Sequence, residues 1–224
     1  MKDEMLRTAS LFREAETSLA YPYLMAYTYP WEALAHIPEI LAAIAATLPR
    51  DRYEEIMPGV FVARTATVAP TAFLGAPCII GEEAEVRHGA FIRSATLVGR
   101  GAVVGNSVEL KNCILFDGVQ VPHFNYVGDS VLGYKAHMGA GAVTSNVKSD
   151  KTIVRIRTPE GAVDTGRKKC GAFLADHVEV GCNSVLNPGT VIGHDTRVYP
   201  LSSVRGWIPE DSIYKNQNHI IRKI

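Results

Sequence analysis

A solenoid of short parallel strands with an all-β core is the fold this sequence predicts, on three observations. An aliphatic or aromatic residue recurs at every sixth position: Val62, Val68, Leu74, Ile80, Val86, Ile92, Val98, Val104, Leu110 and Phe116. The same frame returns at Leu174, Val180, Leu186, Ile192, Val198 and Val204. Four residues after each early hit stands a mostly small residue: Ala66, Ala72, Cys78, Ala84, Ala90, Thr96 and Ala102, then Val108, Ile114 and Gln120. A six-residue period fits neither an amphipathic helix (period about 3.6) nor an alternating strand (period about 2). It fits short strands separated by tight turns, each placing one apolar side chain in a shared interior. Coils stacked in this way bury one continuous core and leave their ends to be capped.

In chain order, residues 1–57 have a different texture. LFREAETSLA and WEALAHIPEILAAIAATL read as helices joined by the aromatic stretch YPYLMAYTYP, and a helical N-terminal cap over the open end of the solenoid is expected. Residues 58–208 carry the repeat. Gly75, Gly81, Gly99, Gly105, Gly181 and Gly193 follow the aliphatic position directly, where a turn needs a permissive backbone. The frame slips around PHFNYVGD, where Val127 and Leu132 stand five apart before Met138 restores the spacing of six. Over residues 145–172 it gives way to SNVKSDKTIVRIRTPEGAVDTGRKKCGA, a charged stretch expected to form an exposed ribbon or loop beside the coils. Excursions on regular scaffolds often carry function. The tail, residues 209–224, is amphipathic and ends in a basic cluster; it is expected to pack along the solenoid or on a neighbouring subunit.

Composition excludes several classes. Lys and Arg number 23 and Asp and Glu 23, so nothing suggests bulk affinity for nucleic acid, and an anionic ligand needs a local cluster of cations. Cys78, Cys113, Cys170 and Cys182 are widely spaced with no C-x-x-C pair, which argues against a zinc knuckle or disulfide framework and fits a reducing cytosol. MKDEMLRTAS has acidic residues and no apolar core, so it does not read as a secretory signal. The apolar stretch from Ile37 to Leu48 carries Pro38 and Glu39 and is too short to span a bilayer. A soluble, cytoplasmic protein with no membrane partner is expected.

Two features point to chemistry. Arg93 and Lys111 are eighteen residues apart, each just after an aliphatic position. A coil of eighteen stacks them roughly 5 Å apart in neighbouring coils. Stacked cations repel unless an anion sits between them, which makes a phosphate ligand one reading and two solvated surface cations the other. His123 stands in the frame-breaking segment between Pro122 and Phe124. A histidine is the usual general base near neutral pH, its ordinary pKa being about 6.5, although a single loop histidine is more often incidental.

The run GNSVELKNCILFDGVQVPHFNYVGDSVLGYKAHMGAGAVTSN, Gly105 to Asn146, resembles the hexapeptide-repeat acetyltransferases. Its His-x-x-Tyr-x-Gly-Asp and Gly-Ala-Gly motifs are similar to the acetyltransferase half of the bifunctional glucosamine-1-phosphate acetyltransferase and N-acetylglucosamine-1-phosphate uridylyltransferase. They are closer still to the archaeal-type sugar-1-phosphate nucleotidylyltransferases, whose junction before the repeat YPWEAL also resembles. The resemblance implies a left-handed parallel β-helix of hexapeptide repeats, and an acetyl group moved from acetyl-CoA to the amine of glucosamine- or galactosamine-1-phosphate, a step of UDP-N-acetylglucosamine biosynthesis. It places the catalytic base on His123, the sugar-phosphate cations on Arg93, Lys111 and Lys169, a sugar contact on Tyr126, and acetyl-CoA contacts on Ala140 and Asn146. Backbone N–H groups from Gly139 to Gly141 would face the oxyanion. It also implies a homotrimer with sites between subunits, and no resident metal.

Three residues depart from the pattern. His137 stands where bacterial members have a sugar-touching Asn, so a second sugar contact and a plain turn residue are both open. Cys182 replaces a Ser near the thioester, as a small packing residue of the coenzyme pocket. Val147 replaces a Tyr beside the cofactor. Arg167 and Lys168 are open between coenzyme phosphates and mere solubility. No Gly-rich nucleotide loop precedes the repeat in this sequence, so no uridylyltransferase domain is expected in it. The rivals are a zinc hydratase like the γ-class carbonic anhydrases, a non-catalytic or ligand-sensing trimeric scaffold, and an acyltransferase for nucleotide-linked amino sugars. Among His88, His123, His137, His177 and His194 no pair is five apart, as the hydratases require.

Overall fold

The computed structural model describes residues 3–216 and 219–223. From Val60 onward the chain winds as the left-handed parallel β-helix implied by the resemblance. Each coil contributes one short strand to each of three faces. Interior rows stack in register as Val62, Ile80, Val98, Leu115, Leu132, Leu174, Ile192 and Ile208 on the first face. The second face stacks Val68, Val86, Val104, Val121, Met138, Val180, Val198 and Tyr214. Leu74, Ile92, Leu110, Val127, Thr144, Leu186 and Val204 line the third. Each fully buried aliphatic side chain contributes roughly 1.5–3 kcal/mol, so this central column is the main source of stability.

The register corrects the sequence frame. Leu110 pairs with Ile92, eighteen back, but Cys113 pairs with Thr96, seventeen back. One residue is therefore lost at the Lys111–Asn112 corner, a coil earlier than the sequence slip indicates. Leu115 takes the interior slot, and Phe116 packs edge-on against Phe12, ring centroids 5.1 Å apart. The glycines after the aliphatic positions are needed for close approach rather than for a left-handed backbone. A Cβ on Gly105 would fall 1.6 Å from the Pro122 carbonyl oxygen, and Gly105 is not among the positive-φ residues.

The N-terminal segment does not cap the open end. It runs along the first face, from the late coils back to the early ones, and that face is called the covered face below. The Ser10 carbonyl meets His194 Nε2 at 3.0 Å, Trp31 packs edge-on against Phe173, and the Leu34 carbonyl accepts Asn112 Nδ2 at 3.1 Å. The helix Ile37–Ala45 lies over the strands Cys78–Ile80 and Thr96–Val98. LFREAETSLA is not a helix: the backbone amides of Arg13 and Glu14 donate to buried Asp176, at 2.7 and 2.8 Å, instead of to carbonyls four residues back. Tyr53–Met57 already belongs to the sheet, antiparallel to Val60–Ala63.

The excursion folds as a two-stranded antiparallel ribbon, Arg155–Thr158 with Gly161–Asp164. Val154, just before the ribbon, and Ile156, within its first strand, are fully buried. In the tail, Ser212–Asn216 adds the last strand of the second face and His219–Arg222 folds back on it. No helix among the described residues is long and apolar enough to cross a membrane.

Candidate functional site

Two corners flank the third face, here the open face, and each gathers a different part of the expected site. Asn125 builds the first corner. It stands in the small-residue column between Val108 and Ala142, buried, with its Oδ1 accepting the His123 amide at 3.1 Å. Its Nδ2 donates to the carbonyls of Gly139 and Ala142, at 2.8 and 3.0 Å, so one side chain fixes both turns. The His123 ring projects outward, exposed beside Phe124, and its carbonyl accepts the Gly141 amide at 2.9 Å. Ala140 and Cys182 lie at this same corner. The Cys182 sulfur is exposed, close enough to meet a Cβ on Gly139 at 3.0 Å. Of the three amides expected for the oxyanion, those of Gly139 and Gly141 are already donated, to Val180 and His123. The Ala140 amide has no backbone acceptor among the described residues.

A buried carboxylate that the sequence reading passed over organises the second corner. Asp129 is 2% exposed and sits in a left-handed backbone conformation, φ +49°. Its oxygens accept Lys111 Nζ at 3.1 and 3.2 Å, Asn112 Nδ2 at 2.8 Å and Asn146 Nδ2 at 2.5 Å. Asn146 also donates to the Tyr126 hydroxyl at 3.3 Å. The Tyr126 ring folds over Gly128, where a Cβ would lie 2.3 Å from its hydroxyl oxygen. Burial, then the charge of Asp129, pushes the Tyr126 phenol above its ordinary pKa, so it stays a neutral donor. Lys111, Tyr126 and Asn146 are thus brought together, and Asn146 stands at this corner rather than beside Ala140.

Arg93 does stack beneath Lys111, but its partner is Glu109, at 2.9 Å. Both cations are balanced by carboxylates of the protein, so their stacking does not by itself require a bound anion. Lys169 is exposed and bridged through its backbone to Val147, next to Asn146. His137 lies apart, in the outer row of the second face, with Nδ1 2.7 Å from Glu179 Oε2. The remaining thiols are buried, and burial pushes those of Cys113 and Cys170 up to about 12. No three His, Cys, Asp or Glu side chains converge as metal ligands among the described residues.

The GMPPB C-terminal domain family model matches residues 74–208, which is most of the β-helix and both corners. The chain belongs to this family. It is 33% identical over 140 residues to a bifunctional sugar-1-phosphate nucleotidylyltransferase/acetyltransferase of Sulfurisphaera tokodaii, covering 54% of this chain and 35% of that protein. The match to a bifunctional protein GlmU of Methanococcus maripaludis is longer, 27% over 200 residues, with 87% of this chain and 48% of the relative covered. An uncharacterized acetyltransferase of Escherichia coli, YaiX, is 28% identical over 162 residues, covering 64% and 70%. The chain spans about a third of the length of the first of these relatives. Among solved structures, the acetyltransferase domain of PglB from Neisseria gonorrhoeae aligns with 86% of this chain and 66% of its own, at 16% identity and TM-score 0.36.

Proposed function

We propose that this chain is an acetyl-CoA-dependent N-acetyltransferase whose acceptor is the amine of glucosamine- or galactosamine-1-phosphate. The observation that carries the reading is the open face itself: an exposed histidine at one corner, and the Lys111, Tyr126, Asn146 group locked by Asp129 at the other. Relatives named as acetyltransferases support the reaction class. The chain would act as a cytoplasmic homotrimer. Phe73 and Phe91 on the open face are 56% and 44% exposed and pack against each other, and an apolar surface of that kind suits a second copy. Such packing would bring His123 of one copy toward the Lys111 corner of the next.

In this mechanism the sugar phosphate is held by Lys111, Arg93 and Lys169. His123 takes a proton from the sugar ammonium, and the freed nitrogen attacks the thioester carbon. A C–N bond forms, and the tetrahedral oxyanion meets the Ala140 amide. The C–S bond then breaks, the second proton of the nitrogen passes to the departing sulfur so that the coenzyme leaves as its thiol, and His123 returns its proton to solvent. General-base help of this kind is worth roughly 10²–10⁴-fold. The test is acetyl-CoA-dependent thiol release with each sugar phosphate, for wild type and His123→Ala. Turnover that falls by about 10²-fold or more in the variant is expected. Unchanged turnover would remove His123 as the base, and none with either sugar would overturn the acceptor.

A further inference from the structure

The excursion holds seven Lys or Arg against three Asp or Glu, in a chain whose totals balance at 23 each. Beside its ribbon lies a cleft of about 610 Å³ lined by Lys148, Lys151, Thr152, Arg155, Asp164 and Lys168. Lys148 has Asp150 at 3.3 Å and Arg155 has Asp164 at 3.5 Å. Lys151 and Lys168 have no carboxylate partner among the described residues. The cleft therefore carries a surplus of positive charge that no carboxylate among the described residues neutralises.

Its walls are anchored. Thr165 Oγ1 donates to the Val154 carbonyl at 2.7 Å, and Val154 and Ile156 are fully buried. The Lys151 amide closes a turn on the Lys148 carbonyl at 3.0 Å, with Lys151 at φ +56°. A loop that merely kept the protein soluble would need neither buried anchors nor cations converging on one volume. The cleft also has an address. Lys148 and Lys168 are the residues just outside the Val147–Lys169 bridge, and Asn146, just inside it, is bonded to Asp129. A ligand whose reacting end lay at the Asp129 corner would bring a charged portion several bonds away into this space.

We propose that this cleft binds an organic pyrophosphate, the charged middle of a nucleotide-bearing substrate. The inference rests on the proposed acyl transfer only for the identity of that substrate. Two sources share the chemistry: the phosphoadenosine diphosphate of coenzyme A, and the nucleoside diphosphate of an activated amino sugar. Clustered ammonium and guanidinium groups recognise either through charge-assisted hydrogen bonds.

Isothermal titration of the full chain with coenzyme A, UDP and pantetheine tests this, comparing wild type with Lys151→Glu/Lys168→Glu whose circular dichroism is unchanged. Wild type should bind at least one nucleotide, with affinity falling as salt rises. The double variant should bind it at least about tenfold more weakly, with pantetheine binding unaltered. Loss for coenzyme A names the donor as occupant, and loss for UDP names a nucleotide-linked acceptor. Absence of nucleotide binding to wild type, or equal binding by the variant, overturns the proposal. Acetyl transfer assayed on the same samples separates the two readings. If transfer is absent while nucleotide binding depends on the two lysines, the function falls and the cleft stands. If transfer occurs and binding ignores the lysines, the reverse holds.

Discussion

On the covered face the outer residues beside the six middle interior positions are themselves apolar, namely Ile79, Leu97, Ile114, Val131, Phe173 and Val191, all fully buried or within 1% of it. On the open face the same slot holds Phe73, Phe91, Glu109, Tyr126, Val143, Val185 and Ser203, and none of these is buried. One repeat thus builds two surfaces of opposite fate. A strand with apolar residues on both sides must be sandwiched, and the chain supplies the second layer from its own N-terminal segment. A strand with aromatic, charged and small residues outside is left for something else to meet, and both corners that carry chemistry border it.

Substitutions on the two faces should separate these fates. Phe173→Ala on the covered face removes a ring packed on Trp31 and should cost about 3–5 kcal/mol in urea unfolding. A loss under about 1 kcal/mol would mean that the N-terminal segment is only loosely laid on. Asp129→Ala, at the edge of the open face, leaves Lys111 and two amides without their acceptor. It should cost about 1–3 kcal/mol and also raise the KM for the sugar phosphate, whereas a purely structural carboxylate would leave KM alone. Phe91→Ala should change protomer stability by less than about 0.5 kcal/mol, yet lower the mass seen by light scattering on dilution. An unchanged mass would remove the open face as the subunit contact. The smallest effect is chemical: at pH 8 a chromogenic disulfide should titrate exposed Cys182 quickly, and Cys78, Cys113 and Cys170 only after denaturation.

Much of this was legible in the sequence, because a six-residue period leaves a strand-and-turn solenoid as its natural solution. The covered face was not anticipated, because the spacing of six does not show it; its mark is the triplets such as CII, TLV, CIL, SVL and AFL, where two adjacent positions are apolar. The N-terminal helix over LFREAETSLA failed because a distant carboxylate, Asp176, captures amides that local propensity assigns to the helix. Around the two corners, His123 and Tyr126 are marked in the sequence by their motif, and Lys111 by its spacing of eighteen from Arg93. Asn125 and Asp129 were missed, although each left a mark: a polar residue in a column of small apolar ones, and a lone acid inside the apolar run YVGDSVL. The pairing of Arg93 with Glu109 was hidden because the two lie on neighbouring coils, and a stacking argument that counts only cations overlooks the acids beside them.

If the open face becomes a site only when a second copy lies on it, two inactive variants should repair each other. The direct test is to co-assemble His123→Ala with Lys111→Ala protomers in equal amounts and to assay acetyl transfer. Recovery to about a quarter of the wild-type rate is predicted, since one interface in four would pair an intact histidine corner with an intact lysine corner. Mixed assemblies no more active than the two parents would contradict it.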